Sequence, residues 1–297
     1  MKKNKRIFAL GFFDGVHLGH QALLKRSVAL AEEMGFGTEA ITFDRHPQSL
    51  FSQTPPRLIS TEADRKLLLR RYGIQNITTF PVIKEVMSTP WQSFLETLLE
   101  RGAAGFVCGD DFHFGARGEG NSENLKIFCA QRNLPCVIVP EQTVDGIRIS
   151  STYIRQQIEN GNMATAVKFL GHPYLLTGTV VPGKQLGRKL GIPTANLLLP
   201  QGLTIPKFGV YACRCIVDDA AYAAVTNIGT RPTVAGEGIT VEPWILNYSG
   251  DLYGREITLE FHYFLRPEQK FADLEALKSQ IHGDADQTLA ILQQTLT

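Results

Sequence analysis

Gly11-Phe12-Phe13-Asp14-Gly15-Val16-His17-Leu18-Gly19-His20 joins an apolar run, Ile7 to Phe13, to an amphipathic stretch, Leu18 to Met34. The run is continuously hydrophobic, as a strand buried on both faces is. In the stretch that follows, Leu23, Leu24, Val28 and Ala31 share one helical face, and Gly35 supplies a terminator. A glycine-rich passage between a first strand and its helix brings backbone close to a ligand, and the helix N-terminus favours anionic phosphate. His17 and His20, three apart, can turn the same way and donate to phosphate oxygens. Zinc is the weaker reading, because the pair lacks an HExxH helix and a third ligand.

The same alternation continues downstream. Glu39 to Phe43 reads as a strand, and Thr61 with Asp64 as the capping box of a helix through Leu67, Leu68 and Tyr72 that Gly73 ends. Ile77 to Val82 is the next strand, Pro90 opens a helix to Arg101, and Gly105 to Cys108 returns as a strand. A helix around Leu125 to Arg132 and a strand at Cys136 to Val139 complete the pattern. Short buried strands alternating with helices predict a doubly wound, Rossmann-like α/β domain with a parallel sheet covered on both faces. After helices at Ile154 to Ile158 and Met163 to Leu170 the texture changes at Gly171-His172-Pro173. Leu175 to Val181, Gly209 to Val217, Tyr222 to Thr226, Ile239 to Leu246 and Glu256 to Tyr263 are short strands between glycine and proline turns. They predict a small antiparallel β-barrel, followed by a C-terminal helix on which Phe271, Leu274, Leu277 and Ile281 form a packing stripe. The predicted domains are residues 1–168 and 169–297.

A chain of 297 residues with 43% hydrophobic content has material for two cores. Its 30 Lys and Arg nearly cancel 29 Asp and Glu, so no global field draws it to nucleic acid or an anionic membrane. Five cysteines form no CxxC pair, and their odd number fits reduced thiols in the cytoplasm. Cys213 and Cys215 share one strand face and read as core. Lys2, Lys3, Lys5 and Arg6 before the first apolar run imitate a signal peptide, but Asp14 ends that run and no cleavage site follows. No stretch approaches the ~20 apolar residues of a spanning helix. Nothing in the sequence calls for an obligate protein partner.

A second group of residues complements the histidines. In Arg148-Ile149-Ser150-Ser151-Thr152-Tyr153-Ile154-Arg155, hydroxyls and backbone amides gather at a helix N-terminus while Arg148 and Arg155 can fork onto phosphate oxygens. Together the two segments read as the jaws of a phosphate clamp. Gly178 to Lys184 has Walker A spacing, yet Gln185 stands where Ser or Thr should ligate Mg²⁺ and turns surround it, so that reading fails.

The ten-residue opening segment resembles the HxGH signature of nucleotidyltransferases, in the form found in bacterial bifunctional riboflavin kinase/FMN adenylyltransferases. The resemblance continues through Thr42-Phe43-Asp44-Arg45-His46-Pro47 and Gly109-Asp110-Asp111-Phe112-His113-Phe114-Gly115. Gly187-Arg188-Lys189-Leu190-Gly191-Ile192-Pro193-Thr194-Ala195-Asn196 resembles the PTAN signature of riboflavin kinases, and Asn227-Ile228-Gly229-Thr230-Arg231-Pro232-Thr233 also matches. It implies ATP as substrate twice, once with riboflavin to give FMN and once with FMN to give FAD and pyrophosphate, with Mg²⁺ as cofactor. Gly11, Phe12, Asp14, Gly15, Arg148, Ser150, Ser151, Thr152 and Arg155 are then expected around the ATP phosphates, and Asp44, Asp111, Asn227 and Arg231 near flavin or nucleotide. Thr194 and Asn196 alternate along an extended segment and can offer oxygens to Mg²⁺ from one face. Glu242 falls at the position of the kinases' catalytic glutamate, and Trp244 beside it reads as core or as a flavin-stacking surface. A single-activity relative and a non-catalytic flavin-binding protein are the competing readings; the intact His17, His20, Arg155, Thr194, Asn196 and Glu242 oppose both.

Overall fold

The structure is a computed structural model that describes residues 5–183, 187, 191–233 and 236–294, without the side chains of 231–233, 236, 237 and 294. Lys184, Gln185 and Arg188-Lys189-Leu190 lie outside the described residues. The chain divides into two compact units, Met1–Ser151 and Thr152–Thr297.

In the first unit β1 (Arg6–Leu10), α1 (Leu18–Met34), β2 (Gly37–Phe43), α2 (Glu62–Arg71) and β3 (Asn76–Phe80) follow one another. Then come α3 (Lys84–Met87), α4 (Trp91–Glu100), β4 (Ala103–Gly109), α5 (Ser122–Ala130) and β5 (Cys136–Val139). The five strands form one parallel sheet in the order β3-β2-β1-β4-β5. Strand order therefore reverses between β1 and β4, and the loops leaving their carboxyl ends diverge into a crevice. A two-stranded ribbon, β6 (Thr143–Val144) and β7 (Ile147–Arg148), leads to the N-terminus of α6 (Ser151–Glu159).

Most element ends are set by the residues the sequence singles out. Gly35 caps α1 in the left-handed region at φ 65°, and the Thr61 hydroxyl accepts the Asp64 amide at the start of α2 at 2.9 Å. The first strand stops three residues earlier than its hydrophobicity predicts. Phe13, Gly15 and Val16 all take positive φ, at 59°, 73° and 40°, and coil the chain into a 3₁₀ turn. For Phe13 and Val16 this conformation costs about 1–2 kcal/mol each, offset by their complete burial.

In the second unit, α7 (Met163–Leu170), β8 (Tyr174–Val180), β9 (Leu197–Leu198), β10 (Gly209–Val217) and β11 (Ala220–Thr233) come first. β12 (Gly236–Ile245), β13 (Glu256–Arg266) and a final helix, α8 (Leu274–Gln294), complete it. The strands close a barrel in the order β10-β11-β12-β9-β8-β13. Tyr211, Cys213, Leu259 and Phe261 fill it, and burial pushes the Cys215 thiol up to about 12, as a core cysteine requires. α7 packs on β8 and β13, while α8 lies across β10 and β11. β11 runs past the predicted strand because Asn227 to Thr233 continues its pairing with β12. The final helix starts at Leu274, so Phe271 precedes it, and Leu274 is 62% exposed rather than part of a packing stripe.

The sheet core generates a stability prediction. Phe106 is fully buried in β4 and meets Phe8 edge to face at 6.2 Å. Phe106→Ala should cost the first unit about 3–5 kcal/mol in urea unfolding followed by circular dichroism. A loss under about 1 kcal/mol would show that the sheet does not pack on this ring.

Candidate active sites

The turn from Phe13 to Val16 delivers His17 to the N-cap of α1. There its Nδ1 accepts the His20 backbone N–H at 3.3 Å, so the ring carries its proton on Nε2. The His17 and His20 rings stack with centroids 3.6 Å apart and planes 10° from parallel. A Cβ on Gly19 would lie 3.3 Å from the His17 ring, which accounts for glycine between the histidines. Both rings face a cavity of about 240 Å³ at the carboxyl ends of β1 and β4. Gly11 and Phe12 line it on one side; Asp111, Arg148, Ser150 and Ser151 line it on the other. The crevice at the strand-order reversal thus joins the two predicted jaws.

Asp14, Gly15 and Asp44 stand apart from that cavity's wall. The Asp14 carboxylate is buried and accepts the backbone N–H groups of Ile59 at 2.9 Å and Ser60 at 3.1 Å. The Gly15 N–H donates to the Ser60 hydroxyl at 3.0 Å, so both residues brace the turn. Asp44 accepts the Val82 N–H at 2.8 Å and holds the chain beyond β3. Arg148 Nη2 is clasped by Asp111 at 2.7 Å and Glu141 at 2.6 Å. Thr152 and Arg155 belong to the second unit, where Arg155 donates to the Thr152 hydroxyl at 3.1 Å.

Two features of the first unit escape the sequence reading. Arg65 is fully buried, donates to the carbonyls of Phe43 at 2.6 Å and Phe12 at 3.4 Å, and lies over the Phe12 ring at 4.6 Å. A second cavity, of about 430 Å³, is lined by Phe43, Phe51, Val86, Met87, Phe94 and Phe114 among others. Phe51 beside it is 79% exposed. The only sequence signal is an aromatic stranded in the polar passage after Pro47.

In the barrel, two pairings fix a register. Leu197 pairs with Val241 and Thr194 bridges Trp244, so Asn196 stands across from Glu242. On the other side of β12, Glu242 pairs with Asn227. Thr194, Asn227, Glu242 and Trp244 line a cavity of about 280 Å³ whose far wall includes Phe271, Leu277 and Ile281. The expected packing stripe is in part the wall of a pocket. A further cavity, also of about 280 Å³, opens on the other side of Thr194, beside Pro193, Pro243 and Tyr253. Arg231 lies in β11, but its side chain is outside the described residues.

Among the described residues no cluster of three His, Cys, Asp or Glu side chains could hold a metal ion. The oxygens of Thr194 and Asn196 fit an ion that takes its remaining ligands from phosphates and water. A Cβ on Gly183 would collide with the Asn196 amide, so bare backbone approaches that donor, and one on Gly187 would collide with the Ile192 carbonyl.

The sequence of the chain matches the FAD synthetase family profile over residues 1–153 and the riboflavin kinase profile over 170–292. The chain belongs to the bifunctional riboflavin kinase/FMN adenylyltransferase family. The member from Listeria monocytogenes is 33% identical, the alignment covering 96% of this chain and 92% of that one. The Escherichia coli member is 35% identical over 94% and 90%. A crystal structure described as a macrolide-efflux protein from Streptococcus pneumoniae matches with a TM-score of 0.87 and 30% identity, covering 97% of this chain and 95% of that one. No helix among the described residues is long and apolar enough to cross a membrane.

The electrostatics of the family's histidine pair follow from its burial. Desolvation, with the nearby His17 and Arg65, holds the His20 imidazolium well below its ordinary range, and its Nδ1 is buried without a hydrogen-bond partner. His20 is therefore a neutral donor in the free protein. Above pH 6.5 the folded and unfolded states are both neutral at this site. As pH falls through 6.5 the unfolded chain takes the proton first, so stability is lost until the lower folded value is reached. His20→Gln should make the first unit's urea midpoint fall less than wild type between pH 7.5 and pH 5. Identical pH slopes would mean His20 is freely protonated in the fold.

Proposed function

We propose that the family's two activities, riboflavin phosphorylation and FMN adenylylation, are divided in this chain between the barrel and the α/β unit. For the α/β unit the reading rests on one observation, the stacked His17 and His20 facing Arg148, Ser150 and Ser151 across a crevice at the strand switch point. An FMN phosphate oxygen attacks the α-phosphorus of ATP there, and the bond to pyrophosphate breaks. No protein nucleophile is needed. Histidine N–H groups, the hydroxyls and amides of Ser150 and Ser151 and the guanidinium of Arg148 offset charge that grows on the phosphate oxygens. The larger apolar cavity, with Phe51 at its edge, suits the flat ring system of FMN.

In the barrel, the register that sets Glu242 between Asn196 and Asn227 supports a general base for the riboflavin 5′-hydroxyl. Glu242 takes the proton as that oxygen attacks the γ-phosphorus of ATP, with ADP leaving. The flavin occupies the cavity walled by Phe271 and Trp244, and the nucleotide the one beside Pro193 and Tyr253. Mg²⁺, held by Thr194 and Asn196, supplies charge neutralisation for the transferred phosphoryl group. The five free cysteines suit a reducing cytoplasm.

His20→Ala should lower FAD formation by about 10²–10³ while leaving FMN formation near wild type, as expected for one lost charge-stabilising donor. Glu242→Gln should do the reverse, slowing the kinase by about 10²–10⁴. Chromatographic separation of FMN and FAD after incubation with riboflavin, ATP and Mg²⁺ reads both. Equal loss of the two activities in either folded variant would sink the two-site reading.

We also propose 168/169 as the functional boundary, with every assigned kinase residue beyond it. Because α7 packs on β8 and β13, a fragment from Thr152 should melt higher than one from residue 169, and both should phosphorylate riboflavin. A folded fragment that needs the N-terminal piece for kinase activity would move the boundary.

A further inference from the structure

In the second unit the last residue of β13, Arg266, meets Asp284 of α8 through a fork whose carboxylate is buried and whose guanidinium is half-buried. Nε lies 3.0 Å from Oδ1 and 3.1 Å from Oδ2, and Nη2 lies 2.8 Å from Oδ2. Asp284 is 2% exposed, and Gln280 Nε2 donates to its Oδ1 at 2.9 Å. The remaining arm of the guanidinium reaches the Pro267 carbonyl at 3.3 Å, and its plane approaches the Phe271 ring at 5.7 Å. Both partners line the barrel cavity that also contains Glu242.

This pair ties two walls together. Glu242 and Asn227 stand on β12 and β11, whereas Leu277 and Ile281 come from α8 and Phe271 from the chain just before it. Around the fork, α8 also meets the barrel through an apolar cluster of Val210, Val225, Leu246 and Ala285, on which Trp244 packs, and through the edge-to-face contact of His282 with Trp244 at 5.6 Å. A bidentate guanidinium–carboxylate pair is directional, while its net contribution to stability against an apolar pair of equal volume is near zero or negative. Such a pair is therefore best accounted for by the geometry it imposes. Phe271, held against the guanidinium, inherits that geometry.

We propose that the Arg266–Asp284 pair is a positioning device for the kinase: it sets the gap between the strand wall carrying Glu242 and the wall of Phe271, Leu277 and Ile281, and so selects a thin planar ring. This rests on the reading that the flavin occupies that cavity. Neither residue exchanges a proton in the reaction; both act through the wall they fix.

The test uses the full chain and compares Arg266→Lys, Asp284→Asn, the double variant Arg266→Met/Asp284→Leu and Phe271→Ala. The double variant replaces the ion pair with an apolar contact and should melt within a few degrees of wild type. Its KM for riboflavin should nevertheless rise about tenfold or more, with kcat changing by less than about threefold, the signature of lost binding rather than lost chemistry. Arg266→Lys, which keeps the charge without the fork, should show the same split. A folded double variant with wild-type KM, alongside a raised KM in Phe271→Ala, would overturn the positioning role and leave the flavin cavity standing. Wild-type KM in both would overturn the cavity as well. A collapse of kcat at unchanged KM would also overturn it, since that would put the pair in the chemistry.

Discussion

The buried carboxylate of Asp14 holds the chain where no regular element could. Between β1 and α1 the backbone passes through left-handed residues, two of them neither glycine nor asparagine, and such a turn persists only when its surroundings over-determine it. Asp14 does this by accepting amides of Ile59 and Ser60, and the Ser60 hydroxyl returns to the Gly15 amide. The fixed turn sets His17 at the helix cap, where the His20 amide fixes the His17 tautomer and the two rings stack. Arg65 closes the arrangement from beneath, gripping the carbonyls of Phe12 and Phe43 so that two strand ends cannot separate. Asp14 thus braces the turn and does not itself line the cavity that the histidines face.

The barrel reaches a comparable precision by other means. Its site has no strained turn among the described residues; antiparallel register does the positioning. Once Leu197 pairs with Val241 and Thr194 with Trp244, the residues across from Glu242 on both neighbouring strands are asparagines. The Glu242 carboxylate thus stands in register between two side-chain amides, one on each side of its strand.

Much of this was legible in the sequence. The continuous apolar runs, the glycine terminators and the Thr61 cap gave the α/β unit, since each is a local backbone preference that the fold obeys. The gap lies in what depends on distant partners. Phe13 reads as the end of a strand because its hydrophobicity is that of a strand residue; only packing forces it to a positive φ. Arg65 has the look of a surface charge on an amphipathic helix, and nothing nearby in sequence reveals the carbonyls that it meets when buried. Leu277 and Ile281 have the spacing of a core stripe, and periodicity cannot separate residues that face a protein core from those that face a cavity.

Thr194 borders both barrel cavities, one shared with Glu242 and the other with Tyr253. A single side chain is thus common to the two pockets, and its rotamer cannot be chosen independently for each. Whatever free energy one occupant gains or loses by fixing that hydroxyl is felt by the other, and thermodynamic linkage makes the effect equal in both directions. If nucleotide and flavin take these two cavities as proposed, the affinity of each depends on whether the other has already arrived, even though neither pocket changes its lining.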